Sequence, residues 1–193
     1  MSTINYKLLL SRIKGQTVTR PNALTSGTLS GHAAGEPFEK LVYNELKKMY
    51  PNNIFKQYEY LNDLYRTHPK AISLEDKKAL FDSPVALFLL SRSESATRLW
   101  NPQNIFEEKQ DDTADILFHN NGFFEIIDVK TRNMAKPAMA PNIISAYKVA
   151  QMCTLIIDNE EYDTMDIKYI EVDWKESGTE KLICENTYIG ELF

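Results

Sequence analysis

Asp111-Asp112-Thr113-Ala114-Asp115-Ile116-Leu117-Phe118-His119-Asn120-Asn121-Gly122-Phe123-Phe124-Glu125-Ile126-Ile127-Asp128-Val129-Lys130 is a β-hairpin carrying charge where a hairpin is usually apolar. Asn121-Gly122 supplies the turn, since both central residues of a type I′ turn need φ > 0. Counting outward pairs Asn120 with Phe123, Phe118 with Glu125, Ile116 with Ile127 and Asp115 with Asp128. The two aspartates then face each other with Cβ atoms roughly 5 Å apart. Strand side chains alternate, so Lys130 shares a face with Asp128. Like charges this close are unfavourable unless a cation sits between them. The pattern therefore predicts a divalent metal site with an ammonium beside it.

Downstream, residues 131–141 contain Lys136, Pro137 and Pro141 and show no periodicity, which predicts a loop beside the charged strand. Asn142 can N-cap a helix from Ile143 to about Ile157, apolar enough to pack on a sheet. Asp166 to Trp174 reads as a strand, Ser177-Gly178 as a turn, and Lys181 to Glu185 as a returning strand.

Upstream, Tyr6 to Ile13 is a short helix ended by Gly15. Residues 21–35 hold three of the seven glycines and read as a loop. Such a loop is either a plain surface connection or a backbone able to approach phosphate closely. No Gly-Lys-Ser/Thr follows it, so it is not a P-loop. Glu36-Pro37 is expected to open a helix, with proline at the favoured first position and apolar residues at helical spacing up to Pro51. Glu39 lies off that apolar stripe and reads as a solvated helix charge. Residues 54–100 look mainly helical, with Ser73 as an N-cap and Val85 to Leu90 as a buried element. Arg92 and Arg98 read as surface charge. The order helix, strand, strand, helix, strand, strand predicts an α/β fold with a mixed central sheet flanked by helices.

At 193 residues, with 43% apolar and 25% charged side chains, the chain has the composition of one globular domain. No run of about 18 apolar residues is present, which argues against a transmembrane span. No apolar core with a cleavage site follows Met1, so the expected compartment is the cytoplasm, and Cys153 and Cys184 are expected as buried, reduced thiols. A net charge of −5 does not mark a nucleic-acid binder, but carboxylates gathered around a metal also lower net charge.

An aspartate followed after twelve residues by Asp128-Val129-Lys130 is the arrangement of the PD-(D/E)xK nuclease superfamily, although Ala114 stands where many members carry proline. Longer blocks narrow the resemblance. Ser26 to Tyr43, Phe55 to Leu64, Asp128-Val129-Lys130-Thr131-Arg132-Asn133 and Ala140 to Lys148 resemble the HincII/HindII type II restriction endonucleases across nearly the whole chain. The resemblance implies a restriction-endonuclease-like core and a Mg²⁺-dependent homodimer that cuts both strands of duplex DNA. The family site is GTYRAC, cut centrally to blunt ends. Carried over by position, Asp115, Asp128 and the Val129 carbonyl are metal ligands and Lys130 is the catalytic lysine. Ala140 and Asn142 match positions that approach base edges in the major groove, and Thr28 and Ser30 belong to the same implied DNA-contacting set. Met139 stands where the family's DNA wedge, expected as glutamine, would sit; an apolar wedge can also unstack a base step. Asn142 thus has a rival role to its helix cap. Lys109, Arg132, Lys136 and Lys148 are candidates for phosphate contact.

The same resemblance implies a functional pairing with a cognate DNA methyltransferase and no membrane partner. Family members continue for several tens of residues beyond Phe193, so the chain is expected to be a C-terminally shortened single domain, residues 1–193. Two alternatives accompany the main reading: a non-catalytic DNA-binding remnant, and a repair or recombination nuclease of the same superfamily.

Overall fold

The computed structural model describes residues 4–21, 31–64, 72–90, 114–137, 146–162 and 165–191. In chain order the elements are α1 (Tyr6–Ile13), β1 (Thr17–Thr19), α2 (Gly31–Met49), β2 (Ile54–Phe55), α3 (Gln57–Leu64), α4 (Leu74–Asp82) and α5 (Pro84–Leu90). Then follow β3 (Ile116–Asn120), β4 (Phe123–Asn133), α6 (Ala146–Asn159), β5 (Met165–Ser177) and β6 (Lys181–Glu191). The six strands form one mixed sheet of order β1-β6-β5-β4-β3-β2. Only β4 and β5 run parallel, and α6 lies in the connection between them, as a parallel crossover requires. The expected α/β architecture is the one observed.

The β3–β4 hairpin has the predicted register, with Ile116 opposite Ile127, Phe118 opposite Glu125 and Asn120 opposite Phe123. Asn121 and Gly122 take φ of 48° and 77°, as a type I′ turn demands. Alternation along β4 then divides the core in two. Ile127 and Val129 face one side, where Phe38, Val42 and Leu46 of α2 and Leu9 and Ile13 of α1 pack with Ile170, Val172 and Trp174 of β5. Phe124 and Ile126 face the other, against Tyr60, Leu61 and Leu64 of α3, Leu80 of α4, Val85 and Phe88 of α5 and Met152 of α6. A bulge between Asp173 and Trp174 sets Trp174 opposite Cys184 rather than Glu185, which brings Cys184 and Leu182 into the first core.

Several expectations need correction. The helix expected to open at Glu36-Pro37 begins at Gly31, so residues 31–35 are helical rather than loop and Pro37 lies inside α2. Proline there has no N–H to bond the Ala33 carbonyl, and the burial of Phe38, Val42 and Leu46 outweighs that loss. Strands β5 and β6 extend beyond the expected Trp174 and Glu185 ends. Strands β1 and β2 were not expected. Cys184 is buried, but Cys153 is only partly so; both are free. Ser73 caps α4 as expected, its hydroxyl accepting from the Asp76 N–H at 3.0 Å. Among the described residues no helix is long and apolar enough to cross a membrane.

Candidate active site

The hairpin's alternation dictates the site. Pairing is hydrogen-bonded next to the turn and alternates outward, so positions 115 and 128 would form a pair of the non-hydrogen-bonded kind, whose side chains approach more closely. The ladder stops one residue short of them, at Ile116 and Ile127, and Asp115 sits in a bend rather than in the expected strand pair. Two like charges face each other here, and the bend turns the Asp115 side chain back towards β4. Its Oδ2 accepts the Val129 N–H at 2.7 Å, standing in for the backbone acceptor that the vanished partner strand would supply. A strand residue's N–H and C=O point to the same neighbour, so the Val129 carbonyl also faces this gap.

Asp128 follows Phe124 and Ile126 on the face covered by α3–α6 and is only 5% exposed. Lys130, one alternation further, donates from Nζ to Asp128 Oδ1 at 2.7 Å. The sequence-predicted trio of Asp115, Asp128 and Lys130 is therefore brought together, with the Val129 backbone beside it. Burial pushes the Asp115 carboxyl up to about 7; the hydrogen bond to Asp128 and its charge add to the rise, while the Val129 N–H and Lys130 act against it. A carboxyl that resists ionisation beside a second carboxyl is ready to take a cation in place of its proton.

The donor set suits a hard ion. Two carboxylates and a backbone carbonyl are all oxygen, and among the described residues no group of three or more His, Cys, Asp or Glu side chains converges. Such a sparse set fits an ion that keeps several of its waters, and it does not fit a closed nitrogen or sulfur cage.

Residues that the sequence did not mark hold this geometry. Gln57, 1% exposed at the start of α3, accepts the Ala114 N–H on Oε1 at 2.9 Å and so fixes the residue before Asp115. Glu39 is not a solvated charge: it pairs with Lys56, which ties α2 to the segment leading into α3. Glu59 Oε2 accepts from the Tyr43 hydroxyl at 2.9 Å and from the Lys56 N–H at 3.0 Å across the same junction. Apart from the Lys56–Glu59 bond, which is local to the start of α3, these contacts depend on the fold, and no local pattern announces them. Arg132 is likewise not a spare cation for phosphate. Its Nε bonds Asp173 Oδ1 at 2.6 Å, its Nη2 pairs with Asp173 Oδ2, and Glu171 lies 3.5 Å from Nε.

Thr28, Ser30, Met139, Ala140 and Asn142 lie outside the described residues, as do Arg92, Arg98 and Lys109 and the side chain of Lys148. Lys136 is exposed in the turn that follows β4.

The chain resembles known proteins over nearly its whole length. The family model described as restriction endonuclease HincII matches residues 9–193. The chain is 57% identical over 188 residues to the type II restriction enzyme HindII of Haemophilus influenzae (strain ATCC 51907 / DSM 11121 / KW20 / Rd), a match that covers 97% of this chain and 71% of the relative. It is 56% identical, with the same coverage, to the type II restriction enzyme HincII of Haemophilus influenzae. With a family model matched over nearly its full length, the chain belongs to the HincII restriction endonuclease family.

Proposed function

We propose that the chain is a type II restriction endonuclease that hydrolyses phosphodiester bonds of duplex DNA at a short palindromic site, GTYRAC, leaving blunt ends, with Mg²⁺ as its ion. The observation that carries this reading is the convergence of Asp115, Asp128 and Lys130 on one sheet face, in a chain so similar to enzymes of that name. Asp115, Asp128 and the Val129 carbonyl are the ligands. A bound divalent ion supplies positive charge for a phosphate oxygen and acidity for a water. The protein's own groups supply the alignment. Asp115 is held through Oδ2 by the Val129 N–H, so its carboxylate needs little reordering to act as a ligand. Asp128 holds the Lys130 ammonium at the edge of the same oxygens. There Lys130 orients the attacking water and stabilises the negative charge that develops on the phosphate.

A palindromic site has two-fold symmetry, and each chain carries one such trio, so cutting both strands calls for a homodimer. The DNA-contacting set of Thr28, Ser30, Met139, Ala140 and Asn142 belongs to the same proposal, as does a cognate methyltransferase that protects the host's own sites.

The test is Lys130→Ala. DNA binding in Ca²⁺ should stay within about threefold of wild type, while cleavage of a plasmid carrying one GTYRAC site in Mg²⁺ should fall by about a hundredfold or more. An unchanged cleavage rate overturns the assignment.

A further inference from the structure

On the sheet face that carries Asp128 and Lys130, the neighbouring strand β5 presents Tyr169 directly opposite Asp128. Tyr169 is in turn opposite Gly190 on β6. A Cβ at Gly190 would lie 2.1 to 2.3 Å from Tyr169 Cζ, Cε1 and the hydroxyl oxygen, so the phenol ring lies flat across β6 in the space that a side chain would fill. The ring thus points towards β6 and away from Asp128. Tyr169 is half-buried, yet among the described residues its hydroxyl has no hydrogen-bond partner. A ring seated in this way holds its hydroxyl in one place, open to solvent and able to donate to a ligand that reaches it. Tyr188, two residues before Gly190 and on the same face, is 50% exposed, so this part of the sheet is open.

We propose that Tyr169, seated on Gly190, donates a hydrogen bond from its hydroxyl to a DNA backbone phosphate flanking the scissile one. The hydroxyl lies over β6, about two strand spacings or roughly 10 Å from Asp128, which is the neighbourhood of an adjacent phosphate rather than of the one being cut. A contact to phosphate positions the duplex and carries no sequence information. Gly190 serves as the notch: any side chain there lifts the ring off β6 and moves the hydroxyl. This contact rests on the reading of the chain as a DNA-cleaving enzyme.

The experiment measures affinity in Ca²⁺ for a GTYRAC duplex and for a duplex lacking the site, with wild type, Tyr169→Phe, Gly190→Ala, Tyr169→Ala and the Gly190→Ala/Tyr169→Ala pair. A hydrogen bond to a charged group makes the expected loss in Tyr169→Phe about tenfold or more, equal on both duplexes. Gly190→Ala should lose a similar factor alone and nothing further on top of Tyr169→Ala. Replacing single phosphates by neutral methylphosphonates should erase the difference between wild type and Tyr169→Phe at one flanking position only. The proposal is overturned if Tyr169→Phe binds like wild type, if its deficit persists on every methylphosphonate duplex, or if Gly190→Ala costs as much without the Tyr169 ring as with it. If wild type itself binds neither duplex, the restriction-enzyme reading fails first and takes this contact with it.

Discussion

The properties of the site begin with one carboxyl. Asp115 is held by the Val129 N–H, faces Asp128 and is largely withdrawn from water, so its pKa rises from 3.8 to about 7. In the unfolded chain it ionises near the ordinary value. Between the two values the folded protein keeps a proton that the unfolded chain has lost. The unfolded state then binds fewer protons, and stability must fall as pH rises from about 4 to about 7, levelling off above. Asp115→Asn removes this titration. Urea unfolding in EDTA at pH 5 and pH 8 should show wild type losing more stability across that interval than the variant. Equal losses in the two proteins would mean that Asp115 ionises normally. The raised pKa is the chemical counterpart of the sequence argument from two facing aspartates: without an ion, one of the pair holds a proton.

At the scale of elements, β4 and β5 are joined by an ion pair, buried on its aspartate side only, that the residue pattern alone suggests is something else. Arg132 stands on the same face as Asp128 and Lys130 and reads in sequence as a phosphate contact. In the fold it is opposite Asp173, which is fully buried and bonded to both Nε and Nη2 of the guanidinium. Removing the cation leaves a buried carboxylate uncompensated. Arg132→Ala should therefore lower the denaturant midpoint of unfolding clearly below that of wild type. Wild-type stability together with weakened DNA binding would restore the phosphate-contact reading.

The contrast shows what a sequence can reveal. The hairpin was legible because an Asn-Gly turn fixes register, and register fixes which side chains meet; Asp115, Asp128 and Lys130 follow from counting. Arg132 with Asp173, Glu39 with Lys56 and Gln57 with Ala114 join residues 41, 17 and 57 positions apart. No local periodicity connects them. The two- and three-residue strands β2 and β1 were invisible for the same reason, since each exists only as a pairing with β3 or β6. The start of α2 was misplaced because proline's preference for the first helical turn is a weak prior, which core packing overrode at Pro37. The family blocks filled in function that physical reading of the residues left open, above all the identity of the substrate.

In the whole molecule, one sheet serves two cores, and the proposed metal site lies where the apolar cover of one face ends. Phe124 and Ile126 are buried under helices; two residues on, the same face carries Asp128, and then Lys130 with a side chain 28% exposed. Burial deep enough to raise a carboxyl's pKa therefore sits beside access for substrate. The arrangement stores unfavourable electrostatics in the ion-free protein, so binding of an ion to the native state should stabilise the entire fold. An ion at a hundred times its dissociation constant adds about 2.7 kcal/mol. For a chain of this length that corresponds to a rise in Tm of about 5–10 °C. Thermal unfolding at pH 8 in EDTA and in millimolar Mg²⁺, with KCl matching the ionic strength, measures it. Asp115→Asn and Asp128→Asn should each unfold at or above the wild-type temperature in EDTA, because the repulsion is gone, and should lose the response to Mg²⁺. If both variants still gain the full rise, the ion binds elsewhere on the protein, and the two aspartates face each other for another reason.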